Sequence, residues 1–291
     1  MRFTNVVTAA GVLAASAILA VGLVPGAANA SPSPEPVKYV NLGDSYSAGS
    51  GGLPLAPDAS LVCWQSADNY AKILSRSNGF DLTDVSCGGA STADFFTPQT
   101  SGVKRQLDAL DDSVDLVTFS IGGNDESLFS GTVMNCVVEG IGTAMRGAPC
   151  QAKHAKSASK TIRETTYPNL VKAMKAVRAK APNARVAALN YPWITPDRNA
   201  PCNGVPISAG DSKFTHRVQA ELNDAIARAA KSTGVTLVDV ATASTGHDAC
   251  KPVGVRWVEP LLTTVQLVPV HPNALGERRM AAVAAKTLDL K

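Results

Sequence analysis

The sequence comprises 291 residues, with 27 Lys and Arg against 24 Asp and Glu and a formal net charge of +3. So even a balance, with the basic residues scattered, excludes the broad basic face that nucleic acid or an anionic membrane requires. The densest basic patch, Lys153-His154-Ala155-Lys156, reads as a solvated face, and the length suits one large domain or two small ones.

Residues 1–30 have the form of a secretory signal peptide. Arg2 is the only charge before Glu35, Val6 to Val24 is rich in Ala, Val and Leu, and Ala28-Asn29-Ala30 is a small-residue cleavage triplet. A retained anchor is the competing reading, but the Ala and Gly content makes the run weakly apolar, and no later segment is long and apolar enough to span a bilayer. The expected product is secreted and extracellular, with no stable membrane insertion once the signal is removed. Residues 31–36, Ser-Pro-Ser-Pro-Glu-Pro, form an extended leader. Residues 37–291 are expected to form a single domain.

Beyond the leader, short β-like runs alternate with helical stretches. Strands are predicted at Val37–Leu42, Asp81–Ser86 (the weakest), Asp115–Ile121, Arg185–Asn190 and Val235–Val240. Between them, apolar residues recur at spacings of three and four: Val103, Leu107 and Leu110; Leu170, Val171, Met174 and Val177; Phe214, Val218, Leu222 and Ile226. Ala274–Leu288 is a further helix. Gly49–Ser66 and Gly122–Gln151 read as long loops. Alternation of continuous apolar strands with helices predicts a three-layer α/β/α sandwich around a five-stranded parallel sheet. Ligands of such sheets bind beyond the carboxyl ends of the strands, so functional residues should fall just after strands.

The cysteines, Cys63, Cys87, Cys136, Cys150, Cys202 and Cys250, all lie beyond the signal. An even number in an exported chain predicts disulfides rather than a metal site, since no C-x-x-C or H-x-x-x-H spacing occurs. Fifteen pairings are possible. Sequential pairing closes the shortest loops and is the one expected: Cys63–Cys87, Cys136–Cys150 and Cys202–Cys250.

Three segments after predicted strands carry polar chemistry. Gly43-Asp44-Ser45-Tyr46-Ser47-Ala48-Gly49 follows the first, putting Ser45 at a strand end and a helix N-terminus, with its N–H aimed at a bound oxyanion. Taken alone the motif is a weak signal and reads rather as a capped turn, with Asp44 as the helix cap and Ser45 as a turn residue. Cys87-Gly88-Gly89-Ala90 and Gly122-Gly123-Asn124-Asp125 follow the second and third strands. They are turn-like too, but a glycine N–H and an asparagine amide are suitable donors to a developing negative oxygen. His271-Pro272-Asn273 precedes the last helix, where Pro272 stiffens the loop and a histidine can reach a strand-end serine. His154, His216 and especially His247 compete for that role.

Together these segments resemble the GDSL family of lipases and esterases, the SGNH hydrolases, whose Ser, Gly, Asn and His stand in four successive blocks. The resemblance implies Ser45 as nucleophile, His271 as general base, and an oxyanion hole of the Ser45 and Gly89 N–H groups and the Asn124 amide. The blocks run in order from 43 to 272. The likeness is nearest to exported actinobacterial members, which also carry three disulfides. It implies a flavodoxin-like parallel sheet, a single domain over 37–291, no metal or organic cofactor, and a monomer acting on a lipid-like acyl ester. One departure stands out. Most members have Asp three residues before the histidine, and this chain has Val268. Resemblance suggests a backbone carbonyl there instead, that of Val268 or Pro269, and hence a histidine less basic than a carboxylate-backed one.

Other functions remain open on the sequence. Phospholipase A and carbohydrate acetylesterase activities fit the same blocks. A metal-dependent phosphodiesterase could use Asp44, Asn124, Asp125 and His271, and a secreted binding protein could retain the scaffold without catalysis. An α/β-hydrolase is disfavoured because the Gly-x-Ser-x-Gly elbow is absent. Acyl preference is expected to depend on the loops Gly49–Ser66 and Trp257–Leu267, where Leu53, Leu55, Leu261, Leu262 and Val265 read first as ordinary packing and only mildly favour a fatty acyl group over a sugar acetate.

Overall fold

The computed structural model describes residues 35–202 and 204–291, besides the isolated residues 9 and 11. The expected signal peptide and nearly all of the leader therefore lie outside the described residues. The chain divides into two compact units, Met1–Glu35 and Pro36–Lys291, and every strand and helix named below belongs to the second.

Five strands form one sheet: β1 (Lys38–Gly43), β2 (Asp81–Asp84), β3 (Leu116–Ser120), β4 (Arg185–Leu189) and β5 (Thr236–Val238). All neighbouring pairs are parallel, in the order β2-β1-β3-β4-β5. The helices are α1 (Ser45–Ala48), α2 (Tyr70–Asn78), α3 (Leu128–Gly142), α4 (Pro149–Thr161), α5 (Tyr167–Lys180), α6 (Ser212–Thr233), α7 (Val240–Ala243) and α8 (Ala274–Thr287). A π-helical turn, Ile162–Thr166, joins α4 to α5.

The alternation of side chains along a strand explains the layers. Tyr39, Leu116, Leu189 and Val238 pack with Tyr70, Leu74, Met280 and Ala284 of α2 and α8. Val40, Leu42, Val117, Phe119, Val186 and Ala188 face the opposite way, onto Leu170, Met174 and Val177 of α5 and Phe214, Val218, Leu222 and Ile226 of α6. The two apolar stripes read from the sequence are thus the ones that cover this face, and the result is the expected α/β/α sandwich.

Several local expectations need correction. Gly122–Gln151 is not a loop: it contains all of α3 and the start of α4. Its helicity was hidden because α3 is apolar on nearly every side and includes Gly131, Gly140 and Gly142, so no polar face marks a period. The Val103–Leu110 stripe yields only a single 3-10 turn, Gln106–Ala109. β2 stops at Asp84 and β5 at Val238, short of the expected Ser86 and Val240. Asp84 Oδ1 accepts from the Ser86 backbone N–H and hydroxyl, turning the chain away from the sheet.

Three disulfides link Cys63 to Cys87, Cys136 to Cys150 and Cys202 to Cys250, the sequential arrangement. The first anchors the segment after β2 to the Gly49–Ser66 loop, and the second clamps α3 to α4. Among the described residues, no helix is long and apolar enough to cross a membrane.

Candidate active site

The strand order reverses between β1 and β3, and their register aligns Gly43 with Ser120, so both strands end level. A crevice at the carboxyl ends is the expected ligand position in this topology. Gly43 takes φ +115, and a Cβ there would collide with the Ser120 carbonyl, so only glycine permits the turn into α1. Gln106 holds that turn from below, accepting from the Gly43 N–H at 2.6 Å and donating to its carbonyl at 2.9 Å.

Asp44 caps α1, accepting from the Tyr46 N–H at 2.9 Å, as the turn reading of the motif anticipated. Ser45 is then the first helical residue, 8 % exposed. Its backbone N–H has no protein acceptor among the described residues. The second Asp44 oxygen accepts from the Tyr191 hydroxyl, which in turn accepts from the Gly123 N–H at 2.9 Å. Burial pushes the Asp44 carboxyl up to about 7, against the downward pull of its hydrogen bonds from Tyr191 and Tyr46. Asp44 and Tyr191 thereby fasten the end of β1 to the segment after β3.

His271 Nε2 lies 2.7 Å from Ser45 Oγ, and Nδ1 lies 2.7 Å from the Pro269 carbonyl oxygen. The Nδ1 proton bonded to Pro269 leaves Nε2 as the acceptor facing the serine. Of the two carbonyls considered from sequence, Pro269 makes this contact, while the Val268 carbonyl accepts from Gln266 Nε2. The histidine loop is held as a narrow clasp: the Glu259 N–H donates to the His271 carbonyl at 2.9 Å, and the Val270 N–H to the Glu259 carbonyl at 3.0 Å. Glu259 is itself fixed by a buried ion pair with Arg256 at 2.6 Å. Desolvation lowers the His271 pKa from its ordinary 6.5, with the Pro269 carbonyl opposing the shift.

Gly89 sits at φ +80 with its N–H unbonded among the described residues, while its neighbours are pinned. The Gly88 N–H reaches the Cys63 carbonyl at 2.8 Å and the Ala90 N–H the Cys87 carbonyl at 3.1 Å. Asn124 Nδ2 donates to the Ala90 carbonyl at 2.9 Å, which orients the amide and leaves its second N–H free. The cavity beside Ser45 and His271 measures about 190 Å³ and is lined by Asn124 and Gly123, by Phe129, Val133 and Met134 of α3, and by Ile194, Leu261 and Val270.

The other histidines are engaged elsewhere. His216 Nδ1 contacts the Thr195 carbonyl and its ring stacks on Trp193. His247 Nδ1 contacts the Val255 carbonyl and its ring stacks on Trp257. His154 lies 3.7 Å from Glu139 at the surface. Tyr46 and Tyr191 were missed from sequence. The Tyr46 ring lies 5.1 Å from the His271 ring and its hydroxyl donates to the Val270 carbonyl at 2.7 Å. Tyr191 stands just after β4, the position the strand-end rule marks. Of the loop residues expected to shape acyl preference, only Leu261 lines this cavity. Leu53 and Val265 face a separate groove, and Leu262 is 51 % exposed.

The chain is 50% identical to Lipase 2 of Streptomyces coelicolor over 96% of its own length and 95% of that protein's. Its fold is similar to the crystal structures of phospholipase A1 from Streptomyces albidoflavus NA297 (TM-score 0.73, 28% identity, covering 87% of this chain and 100% of that one) and of an extracellular lipase from Streptomyces rimosus (TM-score 0.73, 27% identity, 86% and 99%). With the family model matching residues 42–279, a span that runs from the end of β1 to the last helix and takes in Ser45, Gly89, Asn124 and His271, the chain belongs to the GDSL-like Lipase/Acylhydrolase family and is a carboxylic ester hydrolase.

Proposed function

We propose that the mature protein is a secreted, single-domain lipase over residues 37–291 that hydrolyses lipid-like acyl esters through an acyl-enzyme on Ser45. The observation that carries this reading is the 2.7 Å contact of His271 Nε2 with Ser45 Oγ, backed by the 2.7 Å contact of Nδ1 with the Pro269 carbonyl. In the first step Ser45 Oγ attacks the ester carbonyl while Nε2 takes its proton, and the imidazolium is held by the Pro269 dipole rather than by a carboxylate. The N–H groups of Ser45 and Gly89 and the free N–H of Asn124 receive the oxyanion. His271 then protonates the leaving alcohol and activates the water that releases the acid. Ser45, Gly89, Asn124 and His271 meet within one chain, so the proposed site needs no residue from a second copy.

An apolar cavity beside the nucleophile favours a fatty acyl group over a sugar acetate. The similarity to phospholipase A1 makes phospholipids a second substrate class to assay. The rival phosphodiesterase chemistry fits poorly. Asp44 is engaged by Tyr46 and Tyr191, Asp125 accepts from Thr92, and these do not gather with His271 into a cation-holding cluster among the described residues. A fluorophosphonate should add once per chain, at Ser45, and abolish ester turnover, whereas a chelator should not affect it. Full turnover after stoichiometric labelling, or loss of activity to chelation, would overturn the reading.

Two further results are expected. A base works unprotonated, and desolvation disfavours the imidazolium of His271, so the neutral form persists to lower pH. The acid limb of kcat/KM should therefore fall below pH 6.5, the ordinary imidazole value. A limb above that value would show that a nearby negative charge supports the histidine. Tyr46→Phe removes the bond to Val270, a β-branched residue held at φ +59 where the backbone is strained. Loss of one such bond, ~1 kcal/mol, should lower kcat about fivefold with KM little changed. An unchanged kcat would remove Tyr46 from the positioning of the base.

A further inference from the structure

Beside the catalytic cavity lies a second, smaller void of about 10 Å³, bounded by Val205, Ile207 and Val218 and by the polar Thr132, Thr195, Thr215 and Gln219. Three side chains line both spaces: Phe129, Val133 and Ile194. Phe129 and Val133 are four residues apart on α3, so they present one face, and Ile194 meets them from the segment after β4. We propose that these three residues form a partition that sets the length of acyl chain the enzyme accepts, the void beyond being the space a longer chain would need. The proposal rests on the acyl-ester reading above.

The partition is rigid. Disulfide Cys136–Cys150 ties α3 to α4. The Phe129 N–H donates to the Gly123 carbonyl at 3.0 Å, and its ring meets that of Tyr191 edge-on at 5.0 Å. Ile194, 4 % exposed, donates its N–H to Gln219 Oε1 at 3.0 Å. A chain entering past Met134, which is 51 % exposed at the rim, therefore meets a wall whose backbone is anchored on both sides. The void beyond is too small to hold more than about one water, so it offers a methylene nothing until the wall is cut back. An apolar cavity of ~150 Å³ accommodates six-carbon benzene, so one of about 190 Å³ fits an acyl chain of about eight carbons.

The test is a profile of kcat/KM against acyl length, from acetyl to palmitoyl p-nitrophenyl esters, for the wild type, Val133→Phe and Ile194→Ala. Each profile is normalised to its own maximum, so partial loss of folded protein does not distort it. For the wild type, kcat/KM should rise by about fourfold per methylene and break near eight carbons. Val133→Phe, which fills the cavity, should move the break to shorter chains. Ile194→Ala, which opens the wall toward the second void, should move it to longer ones. Fluorophosphonate labelling of each variant separates the two ideas. Variants that label at Ser45 yet keep the wild-type profile would overturn the partition, as would a wild-type profile without a break. A wild type that turns over esters without labelling would overturn the acyl-enzyme reading itself.

Discussion

Ser45→Ala is expected to lower ester turnover by on the order of 10⁶-fold, the loss seen when a serine hydrolase is deprived of its nucleophile. The residual rate should reflect the oxyanion donors and substrate binding alone, both of which survive the substitution. The fold should hardly respond. The Ser45 hydroxyl bonds only to His271 among the described residues, and α1 keeps its Asp44 cap. The histidine remains clasped through Glu259 and Pro269. Losing one hydrogen bond between neutral groups costs about 1 kcal/mol, or a fall in Tm of about 2–4 °C for a domain of this size. His271→Ala should lose a similar factor, and the double variant little more, because nucleophile and base act as a unit. A Ser45→Ala enzyme retaining more than about a thousandth of the wild-type rate would displace Ser45 from this role. Circular dichroism on the same sample would show that the loss is chemical.

The sheet and the Ser45–His271 pair proposed as catalytic were legible in sequence because each leaves a local mark. A buried parallel strand is a continuous apolar run, and the polar segments that end β1 and β3 stand out immediately after such runs. The walls of the cavity left no such mark. Phe129, Val133 and Met134 belong to α3, an apolar helix whose Met134, Val138 and Ile141 face solvent, so its composition has no inside and outside to reveal. Its helicity depends on the packing of α4 and on the Cys136–Cys150 bond, which are tertiary facts. Tyr46 and Tyr191 are different. Both stand close behind strand ends, but their importance lies in partners 224 and 147 residues away in sequence, Val270 and Asp44. The carbonyl that orients His271 was narrowed to two residues by resemblance and to Pro269 by geometry, because a backbone acceptor carries no residue-type signature.

Asn124→Ala should lower kcat by roughly 100- to 1,000-fold, corresponding to the ~2.7–4 kcal/mol that one oxyanion donor contributes. The side-chain amide has two N–H groups; one is committed to the Ala90 carbonyl at 2.9 Å, which keeps the other directed at the cavity. Alanine removes both. Ala90 is buried, so its carbonyl loses its only protein donor among the described residues, and the fold should be destabilised by about 1–3 kcal/mol. That side effect makes the choice of readout decisive. If Asn124 acts on the transition state, kcat falls and KM stays close to wild type, since a ground-state carbonyl gains little from the donor. If it only shapes the pocket, KM rises and kcat is preserved. Asn124→Asp sharpens the contrast. It keeps the size of the side chain but brings a carboxylate up to the developing oxyanion and to the Ala90 carbonyl, so it should be slower than the alanine variant at neutral pH and recover as the pH falls and the carboxyl gains a proton. A carboxylate variant faster than the alanine one at neutral pH would mean that no negative charge builds up beside residue 124.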